Sequence, residues 1–357
     1  MAISNIISRY FHTPALKVKI WNDISRYKKI FIAQGFFELD LLNECRMELV
    51  EYDYFVKHGA PPPVVKPWPT HQNMVVLEIE DGKRRIKVVY DNNDRYYAIP
   101  NELLKWSDIY FKANFQPAYL NTGEFLSGPY WGTEEIHYEN VPEPLALDHT
   151  WKILPCSFTC VLYDNFFRNS YFLKKMEGLW QKTPVHKKPY DYFYKESYWG
   201  NRKLKELKTN IMDYLSDSKK QVVGGLLVRK DPLPEKYQSK AFKEVPLDNW
   251  CKLAQSAKLS IYTRGLDGCL SFKALNYLML GSPFAALELK ANFYQPLVEN
   301  LNFFCIKDDL SNLEELSNDC ENEELLRIMG KNNLLLWQQY ISPIATARLI
   351  VRSAFSG

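Results

Sequence analysis

Lys258-Leu259-Ser260-Ile261-Tyr262-Thr263-Arg264-Gly265-Leu266-Asp267-Gly268-Cys269-Leu270-Ser271-Phe272-Lys273 is the stretch on which the reading of this chain turns. A β-rich run ends at Thr263, two glycines break the backbone, and a helix-periodic segment from Leu270 to Leu280 opens with Ser271 and Lys273 on its first turn. This is the β–α step of a parallel sheet. In such sheets, ligands sit beyond the carboxyl ends of strands, where helix N-termini turn free N–H groups toward anions. Gly265 and Gly268 let the backbone approach a phosphate, the helix dipole favours its charge, and Arg264 or Lys273 supplies the countercharge. The alternative is a plain β–α turn with capping.

Outward from this stretch the pattern repeats. Residues 166–182 and 201–216 read as helices, 221–228 as a strand, 247–257 as a helix, 283–289 and 302–306 as strands, and 310–316 as a helix. Residues 323–355 form a long helical tail broken at Pro343. Strands spaced by helices pair in parallel through crossovers, so the fold class is α/β with a doubly wound sheet. A second edge position follows Val222-Val223-Gly224-Gly225, where the strand delivers Arg229 and Lys230; solvated loop cations are the competing reading. Neither glycine pair matches the G-x-G-x-x-G dinucleotide fingerprint, which argues against hydride chemistry and against a sugar epimerase.

The first half is less regular. Leu16–Trp21 alternates as a strand, Lys29–Ala33 is a short apolar run and Leu39–Val50 has helical spacing, predicting two β–α steps. The Pro-rich segment 59–69 is a loop. Met74–Ile79 and Arg84–Tyr90 flank Asp81-Gly82, a hairpin signal that places an antiparallel element inside the first sheet. Residues 100–106 read as a helix, 108–112 as a strand and 121–132 as a loop, and the linker is expected at 141–151. The expected division is 1–145, 150–335 and a terminal helix 336–357 that packs back on the first part.

The 357 residues suit two domains, and the 45 basic and 42 acidic side chains are too balanced for a nucleic-acid binder. His186-Lys187-Lys188 and Arg202-Lys203-Leu204-Lys205 read as solvated faces or as contacts for anionic lipid headgroups. Seven cysteines without C-x-x-C spacing argue against a disulfide framework and a zinc site, and fit a reducing cytoplasm. No secretory signal or membrane-spanning run of some 18 apolar residues is read, so the expected place is the cytoplasm, with peripheral contact at the inner face of a membrane.

The succession 259–265, Ser271-Phe272-Lys273-Ala274-Leu275-Asn276-Tyr277-Leu278-Met279-Leu280-Gly281-Ser282-Pro283 and Asn302–Ile306 resembles the donor domain of GT-B glycosyltransferases. In those enzymes a helix begins with a small polar residue, carries a cation and ends in a Gly-x-Pro-like step into the next strand. The likeness covers about 258–320 and extends to the kinked tail; enzymes of lipopolysaccharide or capsule synthesis and the CAP10-like group are the nearest in pattern. It implies two Rossmann-like domains, a nucleotide-sugar substrate with its phosphates near Gly265–Lys273, and a glycan or lipid-linked glycan acceptor, with neither metal nor cofactor. Glu288 takes the place of the carboxylate that holds the ribose. The Glu-x7-Glu pair of several retaining families is absent, since position 296 is Pro296, which favours inversion. An inverting enzyme needs a general base. Asp91 and Asp94, after the hairpin and ringed by aromatics, are the first candidates; a polar Asp/Asn turn is their alternative reading. His58, with Glu51 and Asp53, is the reserve set. A catalytically silent subunit of the same shape is the rival function.

Overall fold

The computed structural model describes residues 15–21, 27–50, 73–126, 144–199, 202–228, 232–265 and 268–356. Twelve strands among them form two six-stranded sheets.

The first sheet has the order β2-β1-β3-β4-β5-β6, built from β1 (Lys17–Trp21), β2 (Arg46–Val50), β3 (Met74–Glu80), β4 (Arg85–Asp91), β5 (Ile109–Lys112) and β6 (Ile153–Pro155). Only β3 runs against the rest, as the hairpin signal requires. The turn is set by Asp81, whose Oδ1 accepts from the N–H groups of Lys83 and Arg84 at 2.9 and 2.8 Å, and by Gly82 at φ 85°.

Two expectations in this half are corrected. The apolar run at 29–33 and the helical spacing at 39–50 resolve into one helix, α1 (Tyr27–Leu41), followed by strand β2. Residues 30–36 of α1 are all buried, so the helix lacks the polar stripe that would betray its period. The linker expected at 141–151 ends too early: Leu147–Lys152 is a 3₁₀ turn, and Ile153-Leu154-Pro155 adds β6 to the first sheet beside β5. Three residues ending in proline give no readable strand pattern. Helices α2 (Asn101–Trp106) and α3 (Pro117–Thr122) complete this half.

The second sheet is wholly parallel, in the order β12-β11-β10-β7-β8-β9. Its strands are β7 (Tyr190–Tyr198), β8 (Val222–Val228), β9 (Ala241–Phe242), β10 (Ala257–Tyr262), β11 (Phe284–Leu287) and β12 (Phe304–Ile306). The chain winds outward from β7 through β8 to β9, then returns to the other side of β7 and winds outward through β10, β11 and β12. The switch point therefore lies between β7 and β10. The helices are α4 (Phe166–Met176), α5 (Arg202–Asp217), α6 (Leu247–Gln255), α7 (Phe272–Leu280), α8 (Leu313–Asp319), α9 (Glu323–Leu336) and α10 (Pro343–Phe355).

The tail breaks where expected. A π turn at Trp337–Ile341 ends α9, and Ser342 caps α10 by accepting from the Ala345 N–H at 3.4 Å, with Pro343 in the first turn where it needs no N–H donor. α10 then packs on α1 of the first half. Contact is backbone-close: a Cβ on Gly35 would collide with the Pro343 carbonyl, and Trp337 meets Phe31 edge-on at 6.3 Å. Among the described residues no helix is long and apolar enough to cross a membrane.

Candidate functional site

A cavity of about 700 Å³ opens at the carboxyl edge of the second sheet, at the switch point. One wall is the end of β7 (Lys195, Glu196, Ser197), another the end of β10 (Thr263, Arg264, Gly265), and a third the first turns of α7 (Ser271, Phe272, Lys273, Asn276). Lys208 of α5 closes the polar side, and Val161, Leu227, Val245, Leu247 and Trp250 make the rest apolar. Four cations (Lys195, Lys208, Arg264, Lys273) face two carboxylates (Glu196, Glu244) in this lining, a surplus of two positive charges that suits an anionic ligand.

The local reasons are readable. Ser271 has extended backbone (φ −80°, ψ 157°) and its hydroxyl accepts from the Lys273 N–H at 3.3 Å, so it is the N-cap of α7. Gly265 donates its N–H to the Cys269 carbonyl at 2.9 Å, and a Cβ there would strike Cys269 Sγ. Gly268 has φ +67°, and a Cβ on it would lie 2.7 Å from Lys290 Cβ. Both glycines are thus demanded by the packing of the loop before α7.

The expected cations are present but engaged. Arg264 Nη1 holds Asp308 Oδ1 at 2.8 Å. Lys273 Nζ lies 2.6 Å from Glu196 Oε2 and donates to the Lys195 carbonyl at 3.0 Å. Lys208 donates to the carbonyls of Ser197 and Trp199, each at 2.9 Å, and burial pulls its ammonium down to about 8 against the opposing pull of Glu196. Two buried polar atoms on the wall, Thr263 Oγ1 and Asn276 Oδ1, have no hydrogen-bond partner in the structure. Buried polar atoms are nearly always satisfied, so both are available to a ligand or water in the cavity.

Of the residues singled out in the sequence, Arg264, Gly265, Ser271 and Lys273 share this cavity, and Gly268 lies in the loop beneath it. Glu288 does not line it; its carboxylate is more than half exposed and pairs with Lys290 Nζ at 2.5 Å. Arg229, Lys230 and His58 fall outside the described residues, as do Glu51 and Asp53. Lys195, Glu196 and Lys208 were not among the expected residues. The first two lie on β7, a strand the helix-and-strand pattern did not reveal, although its run of five aromatics in nine residues was a signal for one.

At the carboxyl edge of the first sheet, the candidate bases separate. Asp91 is fully buried at the end of β4: Lys112 Nζ stands 3.1 Å away, the Tyr110 hydroxyl donates at 2.8 Å and the Asn93 N–H at 2.8 Å. Burial pushes its carboxyl up while Lys112 pulls it back. A carboxylate enclosed in this way cannot reach an acceptor hydroxyl, so the candidacy of Asp91 as a base is corrected to that of a structural ion. Asp94 is half-buried on the same edge, and its carbonyl accepts from Asn114 Nδ2 at 2.6 Å. Asn114 Oδ1 in turn accepts from Gln116 Nε2 at 3.0 Å, and Gln116 Nε2 also donates to the Lys290 carbonyl, 3.0 Å away across the divide. With the Phe115–Asn292 bridge, this chain of contacts holds the carboxyl edges of the two sheets against each other.

No protein-family model and no curated protein matches the chain. Among solved structures it is similar to HepE of Anabaena in complex with UDP-glucose (13% identity, 72% of this chain and 66% of that one, TM-score 0.43). It is also similar to sucrose-phosphate synthase of Thermosynechococcus elongatus (11%, 72% and 60%, TM-score 0.38). A third similarity is to the apo form of the lipopolysaccharide outer core galactosyltransferase WaaB (9%, 71% and 63%, TM-score 0.39). The chain spans less than two thirds of the length of each of these proteins.

Proposed function

We propose that this chain is a glycosyltransferase of the two-domain GT-B type, transferring a sugar from a nucleotide-sugar donor to a glycan or lipid-linked glycan acceptor. The observation that carries the reading is the cavity at the switch point of the second sheet, with its surplus of positive charge and the N-terminus of α7 in one wall. The phosphates of the donor lie against Ser271–Lys273 and the end of β10, where backbone N–H groups and cations stabilise the charge that grows on the leaving group. The apolar side of the cavity, at Leu227, Val245 and Leu247, accommodates the rest of the nucleotide.

In this reading the first sheet binds the acceptor and the second binds the donor, with the terminal helix tying them together. Transfer is inverting and independent of metal. Asp94 is the base among the described candidates, because it stands on the edge of the first sheet that meets the second. Acceptor-free hydrolysis of the donor tests the reading: a slow release of nucleoside diphosphate is expected from the wild type and loss of it from Lys273→Ala. Absence of any turnover in a wild type that binds the donor favours the silent-subunit function instead.

A further inference from the structure

The cation best placed to neutralise a phosphate on α7 already holds a carboxylate. Glu196 Oε2 is 2.6 Å from Lys273 Nζ, the Glu196 side chain is 5% exposed, and its Oε1 accepts from the Thr263 N–H at 3.1 Å. Glu196 thus occupies two donors of the kinds that a bound phosphate seeks, a backbone N–H at a strand end and a lysine at a helix start. Its place is dictated by the sheet: β7 and β10 are neighbours across the switch point, so a carboxylate at the end of one reaches the end of the other. A fixed negative charge in a cavity built for anions is a local conflict that packing does not explain.

We propose that Glu196 is a charge discriminator in the donor cavity, weakening the hold on a free nucleoside diphosphate relative to its ester. The inference rests on the donor reading above. A nucleotide sugar carries two negative charges on its diphosphate. The free diphosphate left after transfer exposes a terminal phosphate whose second ionisation lies near pH 6, so above that pH it carries a third. A phosphate that touches Lys273 comes within about 5 Å of the Glu196 carboxylate, where an added like charge in a partly solvated cavity weakens binding by about tenfold. Glu196 thereby offsets part of the extra attraction that Lys273 and the other cations exert on the third charge, which weakens retention of the nucleotide product relative to the donor, so it is a specificity-determining residue for the proposed reaction.

Titration calorimetry at pH 8 with UDP against UDP-glucose, and GDP against GDP-mannose, tests this on wild type and Glu196→Gln. Glutamine keeps the volume and an oxygen that accepts from Thr263. The variant is expected to tighten the free diphosphate about tenfold more than it tightens the ester, shifting the ratio toward product. Lowering the pH from 8 to 5.5 protonates most of the terminal phosphate, while Lys208, at about 8, gains its proton in wild type and variant alike, so the difference in ratio between wild type and variant should shrink several-fold; Glu196→Ala serves for the comparison if the glutamine variant does not fold. An equal change for both ligands, weaker binding of both, or a difference between wild type and variant that does not shrink at pH 5.5 overturns the proposal while leaving the donor site intact. Failure of wild type and variant to bind any of the four ligands, or the ADP, TDP and CMP pairs of nucleotide and nucleotide sugar, overturns both.

Discussion

Asp91 and Lys112 form a fully buried ion pair 3.1 Å apart, and breaking it on one side gives the most instructive perturbation of the first sheet. At an effective dielectric constant of about 20, the pair's attraction at this separation is about 5 kcal/mol. Removing one partner leaves the other buried and uncompensated, at a cost of about 3–5 kcal/mol. In Lys112→Met, Asp91 retains only the Tyr110 hydroxyl and the Asn93 N–H. In Asp91→Asn, Lys112 retains the Asn93 carbonyl at 3.1 Å. Against a total stability of about 5–15 kcal/mol, either change is large. It corresponds to a fall in melting temperature of about 6–20 °C at roughly 2–4 °C per kcal/mol. The double variant Asp91→Asn/Lys112→Met should recover part of the loss, because no charge then remains without a partner. Urea unfolding followed by tryptophan fluorescence, with the two singles and the double as a cycle, measures the coupling. Single losses below about 1 kcal/mol, or strictly additive effects, would refute the structural role given to this pair. If Asp91 were instead the catalytic base, Asp91→Asn would abolish turnover at unchanged stability.

The return of the terminal helix is tested by Gly35→Ala, whose new methyl meets the Pro343 carbonyl; a loss of about 1–3 kcal/mol in thermal unfolding is expected, and a neutral result would mean that α10 does not pack on α1 as described. Burial lowers the Lys188 ammonium to about 7, beneath its ordinary range near 10. The unfolded chain therefore binds more protons between pH 7 and 10, so stability should climb over that window, and the climb should be shallower in Lys188→Met when melting temperature is followed against pH. In the cavity both cations hold a carboxylate, but Lys273 stands on the first turn of α7, against which the phosphates are placed, so Lys273→Ala should lower nucleotide affinity more than Arg264→Ala, as calorimetry on the two variants would show.

What the sequence disclosed depended on how each segment is buried. The strand, glycine turn and helix at 258–280 were legible because β10 ends abruptly at a polar turn and α7 has a clear cap in Ser271. The hairpin at Asp81-Gly82 was legible because the turn chemistry is local. Helix α1 was not, since it is covered over residues 30–36 and shows no amphipathic period. Strand β7 was missed for a related reason: residues 192–196 are buried without alternation, as in the middle of a parallel sheet. That omission hid Lys195 and Glu196, and with them the fact that Lys273 is paired. Asp91 was misjudged because its partner Lys112 comes from the next parallel strand, 21 residues away, a pairing fixed only by register.

A nucleotide-sugar site between β7 and β10 of the second sheet has a direct thermodynamic consequence, stabilisation by the nucleotide that it binds. Thermal unfolding of the wild type with millimolar UDP, GDP, ADP, TDP or CMP tests it most directly. At least one nucleotide should raise the melting temperature in a concentration-dependent way, and Lys273→Ala should remove the shift. No shift with any of the five would contradict it.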